Sequence, residues 1–210
     1  MDRDLFMVLN FDGGDWMDRL MLTVSGTAMW IPLYLLIIYL VARHHGWQRM
    51  LFFLLLVGVS MGLADLIAGI FKHSGPLGDL WPTFEPRLRP MFDPTLEGLN
   101  ISPDSLRVLR KHALLADASV HAPIEAIQGR FGTVSAHAST TCALCYLSAA
   151  VLRKWWFRVL IICCTVLICY SRIYLAKHFP MDIVWGALLG IALGWIATRC
   201  YLNTAPRAKK

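Results

Sequence analysis

Five long apolar runs dominate this chain, and they restrict it to a fold embedded in lipid. A helix that crosses a bilayer needs about 20 mostly apolar residues, and it must be a helix because no water is present to satisfy open peptide groups. Residues 27–42 with their flanks form the first run, and residues 51–71 the second. Residues 135–152 form a third, less greasy but rich in Ala, Ser, Thr and Cys, as suits a helix packed among others. Residues 155–175 and 183–201 complete the set. Charged residues make up only 16% of the 210, against roughly 25% in an ordinary soluble domain. The expectation is an all-α integral membrane bundle of five spans, organised as a single domain over residues 1–210.

The segments between and around the runs refine this picture. Residues 1–25 mix Leu5, Phe6, Val8, Leu9, Trp16 and Leu20 with Asp12, Asp15, Asp18 and Arg19. That pattern predicts an amphipathic segment lying at the interface, with a short first span, six in all, as the alternative. Charges and Gly13-Gly14 interrupt any signal-peptide pattern there, so the first apolar run reads as an uncleaved anchor. Residues 73–133 form a long outer loop holding seven of the ten prolines. Within it, Ser102-Pro103-Asp104 predicts a helix start, with Ser102 as N-cap and Pro103 at the first helical position. Gly186, Gly190 and Gly194 recur every four residues and predict a close helix-packing face. Trp30, Trp47, Trp155, Trp156 and Trp185 lie near span ends and read as interface anchors.

Charge sets the orientation. Arg43, His44, His45 and Arg49 separate runs one and two; Arg153, Lys154 and Arg158 separate three and four; Arg199, Arg207, Lys209 and Lys210 follow the fifth. With five spans these clusters share one face, which the positive-inside rule makes cytoplasmic, including the basic tail 203–210. The net charge of +6 therefore suits anionic lipid headgroups and topology rather than nucleic acid. The six cysteines all lie in apolar stretches, and Cys142-x-x-Cys145 has no second pair at zinc spacing, so they read as small apolar helix residues.

The opposite face collects the chemistry. Lys72 ends run two, Ser135 and His137 begin run three, Arg172 ends run four, and His178 and Asp182 begin run five. Ionisable side chains at such depth are costly and usually functional. Lys and Arg bind phosphate oxygens, Arg through a bidentate fork. One imidazole can attack phosphorus, a carboxylate one helical turn away can hold it, and a second imidazole can protonate the leaving alcohol. The set points to phosphoryl transfer. A metal site would need more carboxylates than Asp182 and Asp65 supply.

These residues resemble a known family. Ser171-Arg172-x5-His178-x3-Asp182 is similar to the S-R-x5-H-x3-D signature of the type-2 phosphatidic acid phosphatase superfamily, and Ser135-Ala136-His137 to its Ser-Gly-His signature. Arg89-Pro90 resembles the end of its K-x6-R-P signature, with Lys72 the matching lysine across a longer, Pro-rich separation. The resemblance implies that His178 is a nucleophile forming a phosphohistidine, Asp182 its orienting partner and His137 the general acid. Lys72, Arg89 and Arg172, with Ser135, Ala136 and nearby N–H groups, would hold the phosphate. It implies no metal and no cofactor. The implied substrate is a lipid phosphate such as undecaprenyl pyrophosphate, phosphatidic acid, phosphatidylglycerol phosphate or lipid A, met at the periplasmic side of a bacterial inner membrane. A lipid phosphotransferase using the same phosphoenzyme, and a non-catalytic lipid transporter or sensor, are the rival readings. His112 and His121 read as ordinary loop residues, His73 as a candidate for the site entrance, Arg130 as a loop charge near it, and Asp65 as a helix-packing group.

Overall fold

The computed structural model describes residues 1–96 and 120–204. The helix start expected at Ser102, together with His112, and most of the basic tail lie outside the described residues. Among the described residues there are seven α-helices and no strands. They are α1 (Asp2–Leu9), α2 (Gly14–Ser25), α3 (Ile31–His45), α4 (Trp47–Ile70), α5 (Ala136–Leu152), α6 (Trp155–Tyr174) and α7 (Pro180–Asn203).

Helices α3 (with the short turn before it), α4, α6 and α7 are each long and apolar enough to cross a membrane. α5 is apolar but shorter, at 17 residues. It can be shorter and more polar because it sits against α4, α6 and α7, so much of its surface faces protein rather than lipid. α1 and α2, of 8 and 12 residues, are too short to span, and the chain between them breaks at Asn10–Gly13. The amphipathic N-terminal segment is therefore two helices, each burying one face: Phe6 from α1, and Met21 and Val24 from α2. Trp47, Trp155, Trp156 and Trp185 are exposed, as interface anchors would be. Trp30 differs: it is buried, and its indole N–H donates to the Val24 carbonyl at 2.7 Å, tying α2 to α3. Its position near a span end is shared with the true anchors, so sequence alone could not separate the two roles.

The glycine stripe on α7 packs on α5. A Cβ at Gly186 would lie 2.5 Å from the Ser135 carbonyl oxygen, and one at Gly194 2.8 Å from that of Ala143. At Gly190 it would run into the Ser139 carbonyl. This spacing lets the two backbones touch and fixes the register of α7 on α5.

At one end of the bundle Arg49 donates to the Tyr201 carbonyl at 2.9 Å and stacks on the Tyr201 ring. The other end, where α4 and α6 finish and α5 and α7 begin, carries the polar residues singled out above.

Candidate active site

The turn between α6 and α7 presents His178. Its geometry is held by Arg172, whose carbonyl accepts from the Lys177 and His178 N–H groups at 2.9 and 3.2 Å. Ala176 sits in this turn at φ 50°, in the left-handed region that usually falls to glycine. Pro180 then starts α7 and Asp182 caps it, its Oδ2 accepting the Phe179 N–H at 3.0 Å. The carboxylate thereby sits at the positive end of the helix.

His178 is buried, and its Nδ1 lies 2.8 Å from the Gly132 carbonyl. A carbonyl only accepts, so Nδ1 carries the proton and Nε2 keeps a free lone pair. Asp182 Oδ2 stands 3.7 Å from the same Nδ1, close enough to act on its charge but beyond a hydrogen bond. The hydrogen bond to the imidazole expected from Asp182 is thus made by a backbone oxygen, with the Asp182 carboxylate next in distance.

Gly132 belongs to an antiparallel clip. The Gly132 N–H donates to the Arg87 carbonyl at 2.9 Å, and the Arg89 N–H to the Arg130 carbonyl at 3.0 Å. The clip carries Arg89 toward the site, its Nε donating to the Phe131 carbonyl at 3.1 Å and its Nη1 to the Gln128 carbonyl. A Cβ at Gly132 would meet Arg89 Cγ at 3.1 Å and the Lys177 carbonyl at 3.2 Å, so any side chain there would have to push these neighbours aside by a few tenths of an ångström.

Cations converge here. The charges of Lys72, Arg89 and Arg172 all act on His178, and those three with Lys177 act on His137. Burial, followed by the fields of Lys72, Arg172 and Arg89, holds the His178 imidazole well below its usual pKa, so it is neutral and nucleophilic near neutral pH. Burial, then Arg89 and Arg172, lowers the Lys72 ammonium to about 8, against the opposing pull of Asp182 and Asp65. Burial likewise lowers Arg89 to about 10. Arg172 is buried, and among the described residues its Nε has no hydrogen-bond partner, a donor open to an acceptor.

His137 is exposed, lining a cavity of about 200 Å³. Ser135 is buried, and its hydroxyl is used as the N-cap of α5, accepting the Ala138 N–H at 3.3 Å. Its hydroxyl is thereby engaged in the cap, while the N–H groups of Ala136 and His137 at the start of α5 have no acceptor within the helix. Lys72 and Arg89 come within electrostatic reach of each other although sixteen residues separate them in sequence. A stack of Phe71, Trp81 and Phe84, with centroids 5.2–6.1 Å apart, folds the intervening chain back. His73 is exposed with φ 49°, and Arg130 is exposed. Asp65, expected to be a packing group, is also exposed. Among the described residues no three of His, Cys, Asp or Glu come together as a metal site would require.

Several participants carried no sequence signal. Ser25, at the end of α2, accepts a hydrogen bond from Arg172 Nη1. Arg87 stacks 3.5 Å over the Phe179 ring and reaches Asp2 at 2.5 Å and Asp182 at 3.9 Å. Lys177 is buried beside His178. His121 is a tie, not a catalyst: its ring bonds Asp18 at 2.8 Å, and its N–H donates to Asn10.

A sequence profile of the PAP2 superfamily matches residues 53–205. The Lipid A 4'-phosphatase of Bacteroides thetaiotaomicron is 25% identical over 201 residues, which cover 93% of this chain and 75% of that protein. The Lipid A 4'-phosphatase of Porphyromonas gingivalis is 29% identical over 79 residues, 38% of this chain and 34% of that protein. In three dimensions the chain is similar to the transmembrane PAP2-type phosphatidylglycerolphosphate phosphatase from Bacillus subtilis, with a TM-score of 0.63 and 17% identity over 99% of this chain and 87% of that one. Aquifex aeolicus LpxE gives a TM-score of 0.51 and 19% identity over 93% of both chains. These two likenesses establish the helical membrane fold, and the profile match, running from α4 through α7, establishes that the chain belongs to the PAP2 superfamily of phosphatases.

Proposed function

We propose that this membrane lipid phosphatase works through a phosphohistidine on His178 and acts on a lipid of the lipid A type. The observation that carries the mechanism is that two imidazoles, His178 and His137, feel one shared set of cations, Lys72, Arg89 and Arg172. That is the arrangement an anionic phosphate between two imidazoles requires.

The phosphate is held by Lys72, Arg89 and Arg172, with the open Nε of Arg172 as one donor and the first-turn N–H groups at Ala136 as others. His178 Nε2 attacks phosphorus; the P–N bond forms as the P–O bond to the lipid breaks. The bound phosphate's negative charge offsets the surrounding cations, and His137, protonated in that complex, gives its proton to the departing oxygen. The imidazole becomes cationic, and the Gly132 carbonyl at 2.8 Å and the Asp182 carboxylate at 3.7 Å stabilise it. Water, losing a proton to His137, then attacks the phosphohistidine. The P–N bond breaks, inorganic phosphate leaves, and His178 is neutral again.

The substrate assignment is supported by the names of the two curated relatives, both Lipid A 4'-phosphatases. The positive-inside pattern supports an active site on the periplasmic side of a bacterial inner membrane. The test is a phosphate-release screen with purified protein over lipid A bisphosphate, phosphatidylglycerolphosphate, phosphatidate and undecaprenyl pyrophosphate, with His178→Ala as control. Release from lipid A by wild type and none by His178→Ala is expected; equal release by both proteins defeats the mechanism, and release from the other lipids alone defeats the substrate.

A further inference from the structure

Asp65 lies five residues before the end of α4, about 7.5 Å along the axis at 1.5 Å per residue. Its side chain makes no hydrogen bond or ion pair among the described residues; the Lys72 charge merely feels it. It lines two cavities at once. One, of about 200 Å³, also carries His137, Ser25, Thr27 and Tyr34. The other, of about 120 Å³, carries Lys72 and Ser74. Ala136 borders both, so the carboxylate stands between the proposed general acid and a proposed phosphate-binding lysine. A third, apolar groove of about 210 Å³ shares Thr27, Tyr34, Met61 and Leu144 with the first and continues over Phe53 and Val57.

A carboxylate at this depth is costly, and its sign is wrong for holding phosphate. It suits a hydrogen-bond donor on the other side of the scissile bond. His137 protonates the leaving oxygen, so the cavity into which His137 opens receives the leaving group. That group meets Asp65 first, and its hydrocarbon continues into the apolar groove.

We propose that Asp65 is a specificity-determining residue that accepts a hydrogen bond from a hydroxyl or amide N–H on the leaving headgroup. It thereby selects a sugar or glycerol headgroup over a diacylglycerol leaving group that offers no donor. The proposal rests on the assignment of His137 and His178 as the phosphatase pair.

The experiment measures kcat/KM by phosphate release for wild type, Asp65→Ala and Asp65→Asn, full-length in detergent. The probes are lipid A bisphosphate, phosphatidylglycerolphosphate and dioleoyl phosphatidate, which separate sugar, glycerol and no donor. Wild type is expected to favour one donor-bearing probe over phosphatidate, and Asp65→Ala to cut that preference by about tenfold or more, mainly through KM. Asp65→Asn, isosteric and still an acceptor, falls between and guards against a folding defect. An equal loss on all three probes, with the alkaline limb of the pH profile moved, would mark Asp65 as a support for Lys72 and overturn the proposal. So would an unchanged preference in both variants, or a wild type that prefers phosphatidate. Each of those outcomes leaves the phosphatase chemistry standing; absence of release from every probe by wild type removes both together.

Discussion

The α5–α7 seam and the α3–α4 side of this bundle are built in opposite ways. Along the seam, three glycines bring backbone against backbone, and His137, His178 and Asp182 stand at the ends of the two helices so joined. On the other side, α3 and α4 border a cavity of about 200 Å³ beside His137 and an apolar groove of about 210 Å³ that continues from it. The difference separates two demands on a membrane phosphatase. Attack on phosphorus needs atoms placed within a fraction of an ångström, and close-packed backbones provide that. A lipid needs somewhere to lie, and the side with larger side chains and fewer close contacts provides it.

The sharpest way to break this contrast is to widen the seam. Gly190→Leu places a side chain into the Ser139 carbonyl and should cost at least the roughly 1–3 kcal/mol typical of overpacking. Thermal unfolding in detergent should show a lowered midpoint, and activity should be lost with it. Val57→Leu, bordering the groove, should leave the midpoint nearly unchanged and read out in KM for long-chain lipids. Equal destabilisation by the two would erase the distinction.

Arg172→Lys keeps the charge but loses the guanidinium fork and should lower kcat/KM by about 10²–10³, the usual scale for one preorganised donor. Ser25→Ala should lower it less, by about tenfold, the scale of one hydrogen bond to a charged group. That loss should appear in kcat with Arg172→Lys already present only weakly, because Ser25 acts through Arg172; full additivity of the two would separate them. The smallest effect is one of pH. Lys72 titrates at about 8 and loses its charge as pH rises through that value, so kcat/KM should fall on the alkaline side near there. Lys72→Arg should move that limb upward; a limb unmoved by the substitution would assign it to another group.

Much of the architecture was legible in the sequence because lipid imposes a length and a composition on each span. Four side chains of the candidate site, His137, Arg172, His178 and Asp182, stood out in the sequence because they stand at span ends in recognisable spacing. The path from Lys72 to Arg89 did not, since an aromatic stack of Phe71, Trp81 and Phe84 closes it and no local pattern announces that. Gly132 was invisible because it contributes a carbonyl, and every residue has one. Ser25 and Arg87 were missed because their roles exist only across tertiary contacts, to Arg172 in one case and to Asp2 and Asp182 in the other. Both N-terminal partners, Asp2 and Ser25, lie outside the span matched by the superfamily profile.

The central claim is that His178 carries the phosphoryl group between the two half-reactions. Rapid quenching of the enzyme with lipid labelled in its phosphate should trap label on the protein that is lost in acid and kept in base, as a phosphoramidate is. The label should map to the peptide containing His178 and be absent from His178→Gln. Steady phosphate release by wild type with no trapped label at any quench time, or label that persists in His178→Gln, would contradict it.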